Sequence, residues 1–334
     1  MIRRFILLLA AVCSCIIYSC STSPKCNIDD PNSKWHRGDG EFLFVDYAPL
    51  AEKPITVYYY IPSKGDVTKM KVLFSMHGAQ RTSAPGLENW KPFAEKEGVV
   101  IIAPEYRKPY YQENEYQFGG VMLERLGTEL APKETWTYNS VELLFDLFKQ
   151  ETGNKSQHYD MFGHSAGGQF THRFLMAMPN ARVNKAVAAN PGSWTFLCPD
   201  GLVAESGTVY GWPYSIKNTP MADESHLKPF LARDLTIHLG TEDTAVSGKH
   251  VPTDEAALAQ GKYRYDRGRN FYEHARTLAQ QKGWEFNWKI VEVKGAGHSG
   301  KEMVYGTWEL GPEGNKLFNP ENYSPNSAYA LIYK

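Results

Sequence analysis

Apolar residues along this chain fall into short continuous runs separated by stretches of helical spacing. Lys71-Val72-Leu73-Phe74-Ser75-Met76 and Val99-Val100-Ile101-Ile102-Ala103 are unbroken apolar runs, the pattern of central strands covered on both faces. Between them, Trp90, Phe93 and Ala94 fit a crossover helix. Upstream, Phe42, Phe44 and Val45, then Ile55 to Ile61, are β-branched and aromatic runs set apart by Pro54 and the Pro62-Ser63-Lys64-Gly65 turn; they predict an antiparallel pair at a sheet edge. Val141, Leu144, Phe145 and Phe148 repeat at helical spacing, and Gly153-Asn154 ends that helix. Tyr159, Met161 and Phe162 mark a strand, followed by a helix with Phe170, Phe174, Leu175 and Met178 that Pro179 stops. Further strands are expected at Val183–Ala189, Leu235–Leu239 and Phe286–Val293, with a helix through Phe271, Ala275 and Leu278 ending near Gly283. Strands alternate with helices from residue 72 to 293, which predicts an α/β fold: a mostly parallel sheet covered by helices on both faces, with an antiparallel N-terminal edge. Two stretches lack a period. Residues 104–132 read as a surface excursion, and residues 190–230, with Trp194, Phe196, Tyr210, Trp212 and Tyr214, as a loop or small lid. The tail from Thr307 to Lys334 suggests only surface packing.

The N-terminus has a different character. Arg3 and Arg4 precede an apolar stretch from Phe5 to Tyr18, shorter than the ~20 residues a membrane span needs, and this reads as an export signal. Ile17-Tyr18-Ser19-Cys20 resembles a bacterial lipobox, which implies cleavage before Cys20 and lipidation of its thiol; ordinary cleavage nearby and a lipidated Cys15 are the alternatives. The expected organisation is a lipoprotein-type signal peptide at 1–19, a polar tether at 20–40 and one α/β domain at 41–334 carrying the 190–230 insertion. The chain would then be exported, either held at the cell envelope (periplasm or outer membrane) through Cys20 or secreted. Formal net charge is −1 with charges scattered, which excludes the basic footprint of a nucleic-acid binder. The 20 Tyr, 16 Phe and 8 Trp fill a core or line a cleft that stacks sugar or phenolic rings. Cys26 and Cys198 either pair or stay separate, and neither has metal-ligand spacing.

Candidate chemistry concentrates at predicted strand ends. Gly163-His164-Ser165-Ala166-Gly167-Gly168 lies between a strand and a helix, the context in which G-x-S-x-G forms a nucleophile elbow. Asp243, in Gly240-Thr241-Glu242-Asp243, follows the strand ending at Leu239. His298, in Gly295-Ala296-Gly297-His298-Ser299, follows the strand ending at Val293. Ligands bind beyond such strand ends in open α/β sheets. A serine hydroxyl needs a base to become a nucleophile, so His298 would serve Ser165 and Asp243 would orient His298, with Glu242 as the alternative acid. The order Ser, acid, His is that of α/β-hydrolases.

On these residues the chain resembles the α/β-hydrolase family over residues 41 to about 305. With Met76-His77-Gly78-Ala79-Gln80 it is most similar to secreted feruloyl and acetyl-xylan esterases and polyhydroxybutyrate-depolymerase-like proteins. The resemblance implies a serine carboxylic-ester hydrolase acting on ester decorations of plant polysaccharide. Its oxyanion hole would be the backbone amides of Ala166 and Ala79, with Gln80 as alternative to the latter. Gln80, His164, Trp194 and Trp212 are candidate substrate contacts, His77 and His164 flank the site in packing roles, and His238 is a core histidine. No H-E-x-x-H or similar cluster appears, so neither metal nor cofactor is expected. Two other functions compete: a prolyl-oligopeptidase-like peptidase, whose usual preceding propeller has no room here, and a glycan-binding protein on an inactive hydrolase fold.

Overall fold

The computed structural model describes residues 25–334; the leader, Cys15 and Cys20 lie outside the described residues. Its centre is an eight-stranded sheet of β1 (Gly38–Phe44), β2 (Ile55–Ile61), β3 (Lys71–Met76), β4 (Val99–Glu105), β5 (Tyr159–His164), β6 (Val183–Ala189), β7 (Asp234–Gly240) and β8 (Lys289–Val293), in the order β1-β2-β4-β3-β5-β6-β7-β8. Only β2 runs against the rest, pairing antiparallel with β1 and β4. The expected mixed sheet with an antiparallel N-terminal edge is therefore the one observed. Register aligns Met76 with Gly163, His164 with Ala189, Ala189 with His238, and Gly240 with Val293. The C-terminal ends of the central strands thus share one edge.

Unbroken apolar runs follow from helices on both faces. Val72, Phe74, Val100 and Ile102 point into a core covered by α2 (Asn139–Thr152), α3 (Ala166–Ala177) and α4 (Arg264–Lys282). Leu73, Val99, Ile101 and Ala103 point into a second core under α1 (Ala84–Glu97), α5 (Gly300–Tyr305) and α6 (Ala328–Tyr333). Helices α1, α2 and α4 each end on a left-handed glycine, Gly98, Gly153 and Gly283, which caps the last turn without a Cβ penalty.

Four expectations need correction. Residues 104–132 are not a surface excursion, because Tyr106, Tyr111, Tyr116, Phe118 and Met122 are buried in the core. Residues 25–40 are not a tether. Trp35 is fully buried, its ring 5.1 Å from Phe148 and 4.7 Å from Tyr59, and its Nε1 donates to Glu151 at 2.7 Å. The Cys26 amide donates to the Glu151 carbonyl at 2.7 Å, and β1 already begins at Gly38. One tryptophan in a polar stretch supplies enough apolar area to dock it. Residues 190–230 are largely loop, as expected, but not a lid: Trp194, Leu197, Trp212, Ile216 and Met221 are buried core, and a two-rung hairpin joins Leu202–Val203 to Val209–Tyr210. The tail does more than dress the surface, since α6 packs Tyr329 flat on Phe93 with centroids 4.1 Å apart.

Candidate active site

Sharp local geometry sets the serine. Ser165 sits at φ 59°, ψ −117°, a left-handed conformation that costs energy for a residue with a Cβ and recurs where function requires it. Its amide donates to the Ala189 carbonyl at 2.9 Å, fixing the turn to β6. A Cβ on Gly163 would run into the Gly167 carbonyl, and one on Gly167 into the Met76 carbonyl. Both glycines are therefore required for α3 to start this close to the sheet.

At the same edge, Ser165 Oγ lies 2.9 Å from His298 Nε2, and His298 Nδ1 lies 2.7 Å from Asp243 Oδ2. The carboxylate only accepts, so Nδ1 carries the proton and Nε2 accepts from the serine hydroxyl. Asp243 is 1% exposed, whereas Glu242 beside it faces solvent. The other Asp243 oxygen, Oδ1, accepts from Arg264 Nη1 at 2.9 Å, and Arg264 Nη2 donates to the His250 carbonyl at 2.8 Å. Asn190, after β6, ties the two loops together: its Oδ1 accepts from the Gly240 amide at 2.8 Å and its Nδ2 donates to the Gly297 carbonyl at 3.1 Å.

Ala79 and Ala166 line a cavity together with Ser165, and their amides donate to no protein acceptor among the described residues. The Ala79 loop is held from behind by His77. Its Nδ1 donates to the Gly78 carbonyl at 2.9 Å, its Nε2 accepts from the Tyr106 amide at 3.0 Å, and the Tyr116 hydroxyl donates to the His77 carbonyl at 2.6 Å. Burial pushes the His77 imidazole down to about 3, so it is neutral and its tautomer is fixed. A methyl group at Gly78 would lie 3.8 Å from the Ser165 Cβ, which measures how near this loop passes.

The serine opens onto two cavities. A polar lobe of about 280 Å³ is lined by Arg81, Lys108, Gln117, Gln169, Ser193 and Tyr214, among others. A second lobe of about 300 Å³ is lined by Met76, Gln80, Pro85, Phe162, His164 and His298, among others. Ala79, Ser165 and His250 border both.

No protein-family profile and no curated protein sequence matches the chain. Among solved structures, poly(aspartic acid) hydrolase-1 from Sphingomonas sp. KT-1 is 34% identical with a TM-score of 0.71, the match covering 79% of this chain and 95% of that one. The chain belongs to the α/β-hydrolase family. A poly(3-hydroxybutyrate) depolymerase from Bordetella parapertussis is 29% identical with a TM-score of 0.74, covering 86% of this hydrolase and 93% of its own chain. A fluorophosphonate-binding serine hydrolase of Staphylococcus aureus shares the fold at 13% identity and a TM-score of 0.50.

Within the hydrolase, Ser165, Asp243 and His298 come together, Ala79 and Ala166 present free amides beside them, and Gln80 and His164 border the second lobe. The His164 ring lies 4.7 Å from that of His298, and burial holds its pKa well below the usual range. Trp194 and Trp212 do not belong to the site. Both are buried and line neither lobe; Trp194 stacks on Phe271 at 4.7 Å while Gln260 bonds its amide and carbonyl. Large rings in a long irregular segment served the core instead. Cys26 and Cys198 are not bonded to each other. Among the described residues, no group of His, Cys, Asp or Glu is placed to hold a metal, and no helix is long and apolar enough to cross a membrane. Sequence reasoning missed Arg264, Asn190 and Arg81, because nothing local marks an arginine or asparagine whose partners lie tens of residues away.

Proposed function

We propose that this α/β-hydrolase is a serine carboxylic-ester hydrolase that forms an acyl-enzyme on Ser165. The observation that carries it is the unbroken relay from Ser165 Oγ through His298 to Asp243, at 2.9 and 2.7 Å, beside two amides with no acceptor of their own. His298 Nε2 takes the hydroxyl proton as Ser165 Oγ attacks the ester carbon, and Asp243 stabilises the imidazolium. The Ala79 and Ala166 amides receive the developing oxyanion; one such donor is worth roughly 100- to 1000-fold in rate. His298 then gives its proton to the leaving alcohol, and water repeats the sequence to release the acid. Because His298 borders only the second lobe, the alcohol leaves on that side and the acyl group occupies the polar lobe.

Hydrolytic chemistry is also supported by two relatives above 25% identity, named as a hydrolase and a depolymerase. Plant-polysaccharide esters, feruloyl or acetyl, are the substrates that the sequence resemblance suggests. With Trp194 and Trp212 buried, Tyr214 and Phe162 are the aromatic lining of the two lobes, which favours a small polar acyl group over a phenolic one. Export with lipidation at Cys20 belongs to the same proposal and is supported by the N-terminal pattern. The test is labelling with a fluorophosphonate followed by peptide mass spectrometry, alongside turnover of p-nitrophenyl acetate. The adduct is expected on Ser165, and Ser165→Ala is expected to lose more than about 1000-fold in kcat. An adduct elsewhere, or turnover retained in the variant, would sink the reading.

A further inference from the structure

The polar lobe is ringed by buried guanidinium groups that have no carboxylate partner. Arg81 lines it and is 5% exposed; its Nη2 donates to the Gln112 carbonyl and to Gln117 Oε1, both at 3.1 Å, while Nε and Nη1 meet no acceptor. Arg173, fully buried behind the wall, donates to Gln169 Oε1, Ser193 Oγ, Thr195 Oγ1 and the carbonyls of Gln117 and Pro213. Arg267, 1% exposed, donates to the carbonyls of Gly192, Pro252 and Gly261. Burial lowers the pKa of all three, that of Arg173 to about 10, which still leaves each a cation at neutral pH.

Two carboxylates, Glu113 and Asp254, line the lobe against Arg81, Lys108 and Lys249, so the lining stays net positive. Glu113 accepts from Arg125 at 2.7 Å, Glu115 accepts from the Gln112 amide at 2.9 Å, and Asp254 caps the turn at the Ala257 amide. Lys108 and Lys249 stand exposed on the lining, with no carboxylate in salt-bridge range among the described residues. Since the whole chain carries a formal charge of −1, this positive charge is a local arrangement rather than a general excess. Carbonyls and amides solvate a guanidinium without cancelling its charge, and low-dielectric walls focus the remaining field into the lobe.

We propose that the polar lobe selects an acyl group that itself bears a carboxylate, as in the half-ester of a short dicarboxylic acid. The inference rests on the ester-hydrolase reading and on its placement of the acyl group. Ser165 Oγ bonds the ester carbon, the ester C–O bond breaks, His298 protonates the alcohol, and water frees the dicarboxylate. The negative charge stays at the far end of the acyl chain throughout.

The experiment compares kcat/KM of ethyl hydrogen glutarate, its carboxamide analogue and its trimethylammonium analogue, by pH-stat near neutral pH. The carboxylate ester is expected to exceed the carboxamide by at least about tenfold and the cation by more, with the ratio shrinking as salt is raised. Arg81→Gln is expected to bring the carboxylate-to-carboxamide ratio towards one. If that variant does not fold, the wild-type ranking and its salt dependence decide alone. A wild-type ratio of one or below, with all three esters turned over, overturns the inference and leaves the esterase reading standing. No turnover of any of them, with no fluorophosphonate adduct, removes both.

Discussion

Arg264 shows what a single residue adds to the site. It sits at 3% exposure against a carboxylate at 1%, so the pair is almost dry, and Asp243 divides its two oxygens between a guanidinium and an imidazole. The charged and titratable groups around His298 are Asp243, Arg264 through that carboxylate, His164, His250, and Glu302 one bond away on the Gly297 amide. Without Arg264, Oδ1 of Asp243 loses its charged partner and the carboxylate is no longer held square to the imidazole. Arg264→Gln is therefore expected to lower kcat with little change in KM, with Arg264→Lys partly restoring it; an unchanged kcat would show that Arg264 only fills space. Removing one partner of so buried a pair also costs about 3–5 kcal/mol of stability. Gly167→Ala is expected to be worse than its one methyl suggests, since that methyl meets backbone on β3 that cannot swing away; we expect loss of soluble, labelled protein in a fluorophosphonate gel. Ser165, Asp243 and His298 could be found in the sequence because each follows an apolar run. Arg264 could not, since its meaning comes from a contact with Asp243 made 21 residues upstream.

Elements were legible in proportion to their length and to the faces they bury. Strands β3 and β4 announce themselves because both faces are covered, and α2 because Val141, Leu144, Phe145 and Phe148 share one face. Strand β8 is shorter than its apolar run: Phe286 and Trp288 leave the ladder to pack against each other at 5.4 Å, with Trp288 packing on Phe230 at 4.7 Å. Helix α6 is six residues long, too short to show a period, and is defined by the Ser327 cap on the Ala330 amide and by burial of Tyr329 and Ile332. The Trp35 segment was misread for a related reason, one apolar residue among polar neighbours. Trp35→Ala is expected to cost about 3–5 kcal/mol in urea unfolding while leaving fluorophosphonate labelling of the folded fraction unchanged. A loss below 1 kcal/mol would mean that the segment only rests on the fold.

Across the whole molecule, four histidines stand where protonation is unfavourable: His77, His172 and His238, which are buried, and His164, which is half-buried. Burial dominates each shift, with His77 at about 3 and His238 at about 4. Below the unfolded value of about 6.5 the unfolded chain binds protons that the folded one refuses, so stability present above that pH is lost as pH falls towards the folded values. Each histidine contributes a slope of about 1.4 kcal/mol per pH unit across that window. Thermal unfolding followed between about pH 7 and 4 should show Tm falling steeply below about 6.5; a flat Tm there would mean that one or more of these rings accepts a proton in place. The parallel-sheet architecture was readable at this scale because alternation of strand and helix survives local errors, whereas the walls of the cleft were not, being assembled from loops without periodicity. One such loop holds a consequence for how this enzyme could change. Tyr116 clamps the backbone behind the Ala79 amide, and the very next residue, Gln117, meets Arg81 inside the polar lobe. Laboratory evolution towards a new acid component would therefore disturb turnover along with recognition, and successful lineages should accumulate compensating changes around His77 before they recover speed.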